Sequence, residues 1–157
     1  MDISVVLKRV ISRNPSWADV EKLLGSKWSV LGEGKRSLAL PEIDLSEVVL
    51  RTVVRPKEQR IRGSERRVRL MLDGDILLGA STFFSLKGNE EKIPESWRSY
   101  KRIYFDGSLV SGPPGGTHYV LYIEYDGSSL RKGVEPLNDY SYANAASATL
   151  PWNYRQG

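Results

Sequence analysis

The chain has 157 residues, is 40% apolar and 10% aromatic, and carries 23 Lys+Arg against 19 Asp+Glu, a formal charge of +4. Those proportions exclude a disordered chain, and the length fits one domain over 1–157, large enough to bury roughly two thirds of its unfolded surface. Cysteine is absent, which excludes disulfides, thiolate catalysis and Cys-held metals. No stretch approaches the roughly 18 apolar residues of a membrane span, and Ile3 to Leu7 is too short for a signal core. An intracellular setting with no membrane partner is therefore the expectation.

Ile3, Val6, Leu7, Val10 and Ile11 recur at helical spacing, with Asp2 as a cap and Asn14-Pro15 as a stop. A second helix is expected from Asn14 or Ser16 to Leu24. Ser16-x-x-Asp19 resembles a capping box, Trp17, Val20 and Leu24 share a face, and Gly25 suits the position beyond the end. Residues 1–25 thus read as a helical part and 27–157 as a β-rich body.

From Lys27 the period changes to two. Trp28 to Leu31 and Arg36 to Leu40 suggest a hairpin closed by Gly32 and Gly34. Glu47 to Arg55 and Arg66 to Leu72 both alternate, predicting strands with Val48, Leu50, Val54, Val68, Leu70 and Leu72 facing inward. Asp-Gly pairs at 73–74, 106–107 and 126–127 suit tight hairpin turns and predict a meander with strands near 76–84, 100–105, 108–111 and 117–125. Residues 113–116 form a loop, 86–98 a polar connection, and the Ala- and Tyr-rich tail ends in a short strand at Thr149-Leu150. The expected fold is α+β, two short N-terminal helices followed by a mainly antiparallel sheet, curled into a barrel or sandwich.

The charge is concentrated. Residues 51–69 hold Arg51, Arg55, Lys57, Arg60, Arg62, Arg66, Arg67 and Arg69 against only Glu58 and Glu65, a net of +6, while the remainder is −2. Paired as a β-ribbon, Arg51 would lie near Arg69 and Val53 near Arg67. Like charges opposed across a ladder cost up to about 1 kcal/mol, which an anion would relieve. Arginine's planar fork suits bidentate phosphate contact and base stacking. Tyr100, Arg102 and Tyr104 would add rings and charge on one strand face, as single-strand binding requires.

The expected function is therefore non-catalytic binding of nucleic acid, RNA ahead of DNA, through those eight basic residues and Tyr100, Arg102 and Tyr104, with no cofactor and no metal. The alternative is a protein-interaction or structural protein, such as a viral or phage accessory protein, inhibitor or capsid-like β-sandwich. Its basic face would meet an acidic partner, and it would self-associate as a homo-oligomer. A third reading is an Mg²⁺ nuclease, because Asp73, Asp75 and Glu90-x-Lys92 loosely match an acidic-lysine constellation. The single histidine, His118, has no Gly-x-Ser-x-Gly elbow to serve. Gly34-Lys35 fails as a phosphate loop, because Ser29 stands where the first glycine belongs and Arg36 replaces the Ser/Thr. Asn14 to Leu24 followed by Gly32 to Arg36 resembles the helix and first hairpin of HicA-type RNA-cleaving toxins. That resemblance implies a fold like double-stranded-RNA-binding domains and a strand histidine, but none stands at a matching place.

Overall fold

The computed structural model describes residues 6–8 and 17–154. In chain order the elements are β1 (Val6–Lys8), α1 (Trp17–Leu24), β2 (Ser29–Glu33), α2 (Lys35–Leu38), β3 (Glu42–Asp44), β4 (Val49–Arg51) and β5 (Arg60–Arg62). They continue with α3 (Gly63–Leu72), β6 (Ile76–Leu77), α4 (Ala80–Ser85), β7 (Arg102–Gly112), β8 (Thr117–Asp126), β9 (Ser129–Pro136), β10 (Tyr140–Tyr142) and β11 (Ala146–Leu150). The class is α+β, with few short helices and an open seven-stranded sheet. Its main path runs β4-β11-β7-β8-β9, while β2 pairs with β7 and β6 with β11. All its pairings are antiparallel except β11 with β7. The sheet does not close, which corrects the expected barrel. Two small ribbons stand apart, β1 with β3 and β5 with β10. Among the described residues no helix is long and apolar enough to cross a membrane.

The central strand β7 is buried on both faces, and its alternation divides the molecule. Ile103 and Phe105 join the apolar core, where Phe83 of α4 meets Phe105 edge-on at 5.6 Å and Trp97 and Leu121 are buried. Tyr104 and Asp106 point to the opposite face and are equally buried there, beneath α3. β11 repeats the division, with Ala148 and Leu150 in the core and the Ser147 hydroxyl on Asp106.

Several expected elements are replaced. Of the first expected helix, only Val6–Lys8 lies among the described residues, and it is a strand. The β-branched Val6 favours extended backbone, and β3 satisfies the strand's ladder. The expected cap Ser16 lies outside the described residues, and Gly25 follows α1 at φ 102°. The hairpin at Gly32 and Gly34 is absent. β2 passes into α2 and pairs with β7, so the likeness to the toxin hairpin stops at the helix. Strand 47–55 shrinks to β4, preceded by a turn in which the Ser46 amide donates to Asp44. Segment 76–84 is β6 followed by α4.

The largest difference is α3, where Arg66 to Leu72 was expected to be a strand. Its buried stripe is Gly63, Arg66 and Leu70, spaced i, i+3, i+7, while Val68, Met71 and Leu72 are 52%, 62% and 82% exposed. A helix is the only element that buries that set, and one of its members is a charge. The Asp-Gly pairs divide likewise. Asp126-Gly127 turns β8 into β9, and Asp73-Gly74 ends α3. Asp106-Gly107 sits within β7 at a register shift, where a Cβ on Gly107 would stand 2.3 Å from the Leu77 carbonyl oxygen. That glycine serves a close backbone approach, not a turn.

Candidate nucleic-acid interface

The arginines of 51–69 fall into three groups. Arg66 is internal. Its Nε and one terminal nitrogen donate to the two oxygens of Asp106, both at 2.9 Å, and the other terminal nitrogen donates to Ser141 Oγ at 3.0 Å. The guanidinium carbon lies 3.7 Å from the centroid of the Tyr104 ring. Asp106 also accepts from Ser147 Oγ at 2.5 Å. Burial alone would lower the Arg66 pKa, but the charge and hydrogen bonds of Asp106 outweigh it and hold the value above the ordinary one. A fork-to-fork pair of this kind is the form in which a protein tolerates two buried charges.

Arg51 and Arg69 form the second group, each neutralised by its own carboxylates. Arg51 donates to Asp73 at 2.7 Å and Asp75 at 3.0 Å. Arg69 donates to Glu58 at 2.6 and 2.9 Å, to Glu65 at 3.2 Å and to the Val53 carbonyl at 2.8 Å. The bonds from Arg69, and then the Arg55 amide, pull the Glu58 carboxyl down to about 2. Across its ladder Arg51 faces Ser147, not Arg69. The expected mutual repulsion of strand arginines is thus absent, because these cations stand on different elements beside acids.

Arg55, Lys57, Arg60 and Arg62 are exposed and make no ion pair among the described residues. Arg67 makes none either, and its Nε donates to the Asp106 carbonyl at 3.0 Å. β5 turns Arg60 and Arg62 outward and Ile61 inward. Its partner is β10, with Tyr140 opposite Arg62. The guanidinium carbons of Arg60 and Arg62 lie 4.1 and 4.4 Å from the centroid of the Tyr140 ring, which is 39% exposed. Arg62 is further tied to the Asn138 carbonyl at 2.8 Å. A basic ribbon with an aromatic ring does exist, therefore, but its second strand comes from the tail. Tyr140 is not among the residues expected from the sequence, where its only local signal is its place in a Tyr-rich stretch.

Beside Tyr140 opens a cavity of ≈190 Å³ whose lining includes Lys101, Arg102, Tyr104, Glu135 and Asn144. Glu135 Oε1 accepts from Tyr104 Oη at 3.0 Å and Arg102 at 2.7 Å, whereas its Oε2 is buried with no donor among the described residues. Burial raises the Glu135 carboxyl above its ordinary value, against the pull of Tyr104, Arg66 and Arg102. Burial, reinforced by the charge of Glu135, likewise raises the Tyr104 phenol well above its own.

Tyr100, Arg102 and Tyr104 do not form the expected open platform. Tyr100 caps a 3₁₀ turn and packs on the core, and Tyr104 lies under Arg66. Arg102 stacks on Tyr122 at 4.1 Å and pairs with Glu124 and Glu135. The acidic-lysine constellation is dispersed as well. Asp73 and Asp75 sit on Arg51, while Glu90 starts a 3₁₀ turn that includes Lys92 and stands 3.9 Å from Lys132. Among the described residues no group of three His, Cys, Asp or Glu could hold a metal ion. His118 is exposed on β8 opposite Ser111.

No protein-family model, curated protein or solved structure matches the chain.

Proposed function

We propose that the protein binds single-stranded nucleic acid without catalysis, RNA ahead of DNA. The observation that carries this reading is the β5–β10 ribbon, where two exposed arginines without carboxylate partners flank a half-exposed tyrosine beside a small cavity. Arg60 and Arg62, with Arg55 and Lys57 on the same approach segment, supply phosphate contacts. Tyr140 and the two guanidinium planes supply faces on which bases stack. With three residues in each strand, the ribbon spans roughly 10 Å, too short to follow a duplex groove and long enough to hold two or three nucleotides.

A cavity of ≈190 Å³ is small for a whole ligand but admits a single base or sugar edge. Its buried acceptor without a donor, Glu135 Oε2, suits a ligand that brings donors. The ribose 2′-OH is one that RNA has and DNA lacks, and this favours RNA. This reading does not rest on Arg66, which is buried, or on Arg69 and Arg51, whose charges are balanced by neighbouring carboxylates.

The test is binding of a fluorescent single-stranded RNA, with Arg60→Glu/Arg62→Glu and Tyr140→Ala beside the parent. The reading requires the double charge reversal to remove binding and Tyr140→Ala to weaken it by about 1–3 kcal/mol, with each variant folded and its melting temperature lowered by only the few degrees that loss of the exposed Arg–Tyr140 and Arg62–Asn138 contacts implies. Retention of full affinity by the double variant, or capture of an acidic protein with no affinity for RNA or DNA, would refute it.

A further inference from the structure

We propose that the cleft between α2 and α3 is a second, separate site, which binds a small phosphomonoester carried on a planar or apolar body, the class that includes mononucleotides. The cleft measures ≈380 Å³, within the usual range for small-molecule sites, and its lining includes Lys35, Arg36, Arg67, Met71, Ile76 and Leu77.

Its electrostatics call for an anion. The wall contains two carboxylates, and both are already taken, Asp106 by Arg66 and Asp75 by Arg51. Lys35, Arg36 and Arg67 therefore have no carboxylate partner among the described residues. Arg36 is held in place by the Gly74 and Trp152 carbonyls, both at 2.9 Å, which fix its plane without cancelling its charge.

Arg67 is the sharper case. Its side chain is half-buried, and the bond from its Nε to the Asp106 carbonyl helps fix the β7 bulge. That structural role uses one nitrogen. The two terminal nitrogens have no acceptor among the described residues. Burial pulls its pKa down and the neighbouring Arg66 adds to this, with only Asp106 opposing. A desolvated guanidinium with two open donors beside a lysine matches the bidentate geometry of a phosphate.

Apart from Ser37 and the glycines, the rest of the cleft is apolar. Met71 is 62% exposed at its edge, and the half-buried Leu77 and the buried Ile76 stand in the same wall. An inorganic anion would leave this wall bare, whereas a base or comparable planar group would cover it.

Isothermal titration of the intact protein with inorganic phosphate, AMP and adenosine tests the assignment. AMP should bind at least tenfold more tightly than phosphate, and adenosine should give no measurable heat. Arg67→Gln should weaken AMP at least tenfold, as should Lys35→Gln, an exposed position that keeps the test open if the first variant fails to fold. Met71→Ser should weaken AMP and leave phosphate unchanged. Arg60→Glu/Arg62→Glu should bind AMP like the parent, and AMP should not displace RNA, so this site and the ribbon stand or fall independently. No heat with AMP at millimolar concentration, equal affinity for phosphate, full affinity in both charge variants, or displacement of RNA by AMP would each overturn the proposal.

Discussion

Replacing Asp106 by Asn tests whether the buried arginine is structural. The carboxylate is fully buried and accepts three hydrogen bonds, two from Arg66 and one from Ser147. An amide of the same shape keeps one acceptor and turns an N–H₂ group toward a guanidinium that is itself only a donor. Arg66 then retains Ser141 and the face of Tyr104 but loses its counter-charge. Summing three charge-assisted bonds at about 1.5–3 kcal/mol each would overstate the loss, because they act as one unit. Breaking a buried pair by removing one partner costs about 3–5 kcal/mol. For a domain of this size that lowers the melting midpoint by roughly 6–20 °C.

Arg66→Met should cost about as much, since it strands Asp106. The double variant Arg66→Met/Asp106→Asn removes both charges and should be no worse than either single. The double-mutant cycle in urea then gives a coupling of about 3 kcal/mol. Single losses below about 1 kcal/mol, or additive losses in the double, would refute this reasoning.

Two further outcomes follow from local geometry. Glu58 is held at about 2, below its ordinary 4.5, by Arg69. Its contribution to stability is therefore present above pH 4.5 and lost as pH falls toward 2. Glu58→Gln should flatten that part of a melting-temperature profile, and the difference should shrink in high salt because the pair is partly exposed; an unchanged acid limb would count against the pairing. Gly107→Ala places a Cβ 2.3 Å from the Leu77 carbonyl oxygen, whereas Gly34→Ala meets nothing within 4 Å. The first should cost about 1–3 kcal/mol or more in urea unfolding and the second about 0.5 kcal/mol or less, and equal effects would contradict the packing of β6 on the bulge.

What the sequence revealed depended on whether a signal was local. β8 was legible because an apolar strand runs into an Asp-Gly turn and both are used as they read. α3 was not, because the rule that charges face out assigns Arg66 to the surface. Its partners Asp106 and Ser141 lie 40 and 75 residues away. β11 was seen only at its end. Its residues Ala146, Ser147 and Ala148 are small because the sheet is covered on both faces there, so the most buried strand has little hydrophobic signature. For the candidate site, the concentration of charge was visible and its distribution was not. Counting signs cannot separate Arg69, neutralised by Glu58, from Arg62, stacked on a tyrosine 78 positions away.

The most direct test of the central claim is the salt dependence of RNA affinity. Each phosphate neutralised on a single strand contributes about −0.7 to the slope of log Kobs against log salt. The milder neutralisation Arg60→Gln/Arg62→Gln, which leaves weakened binding to measure, should flatten that slope by about 1.4, and Arg69→Gln should leave it unchanged because Glu58 already occupies that cation. A slope untouched by the double variant, or flattened by Arg69→Gln instead, would contradict it.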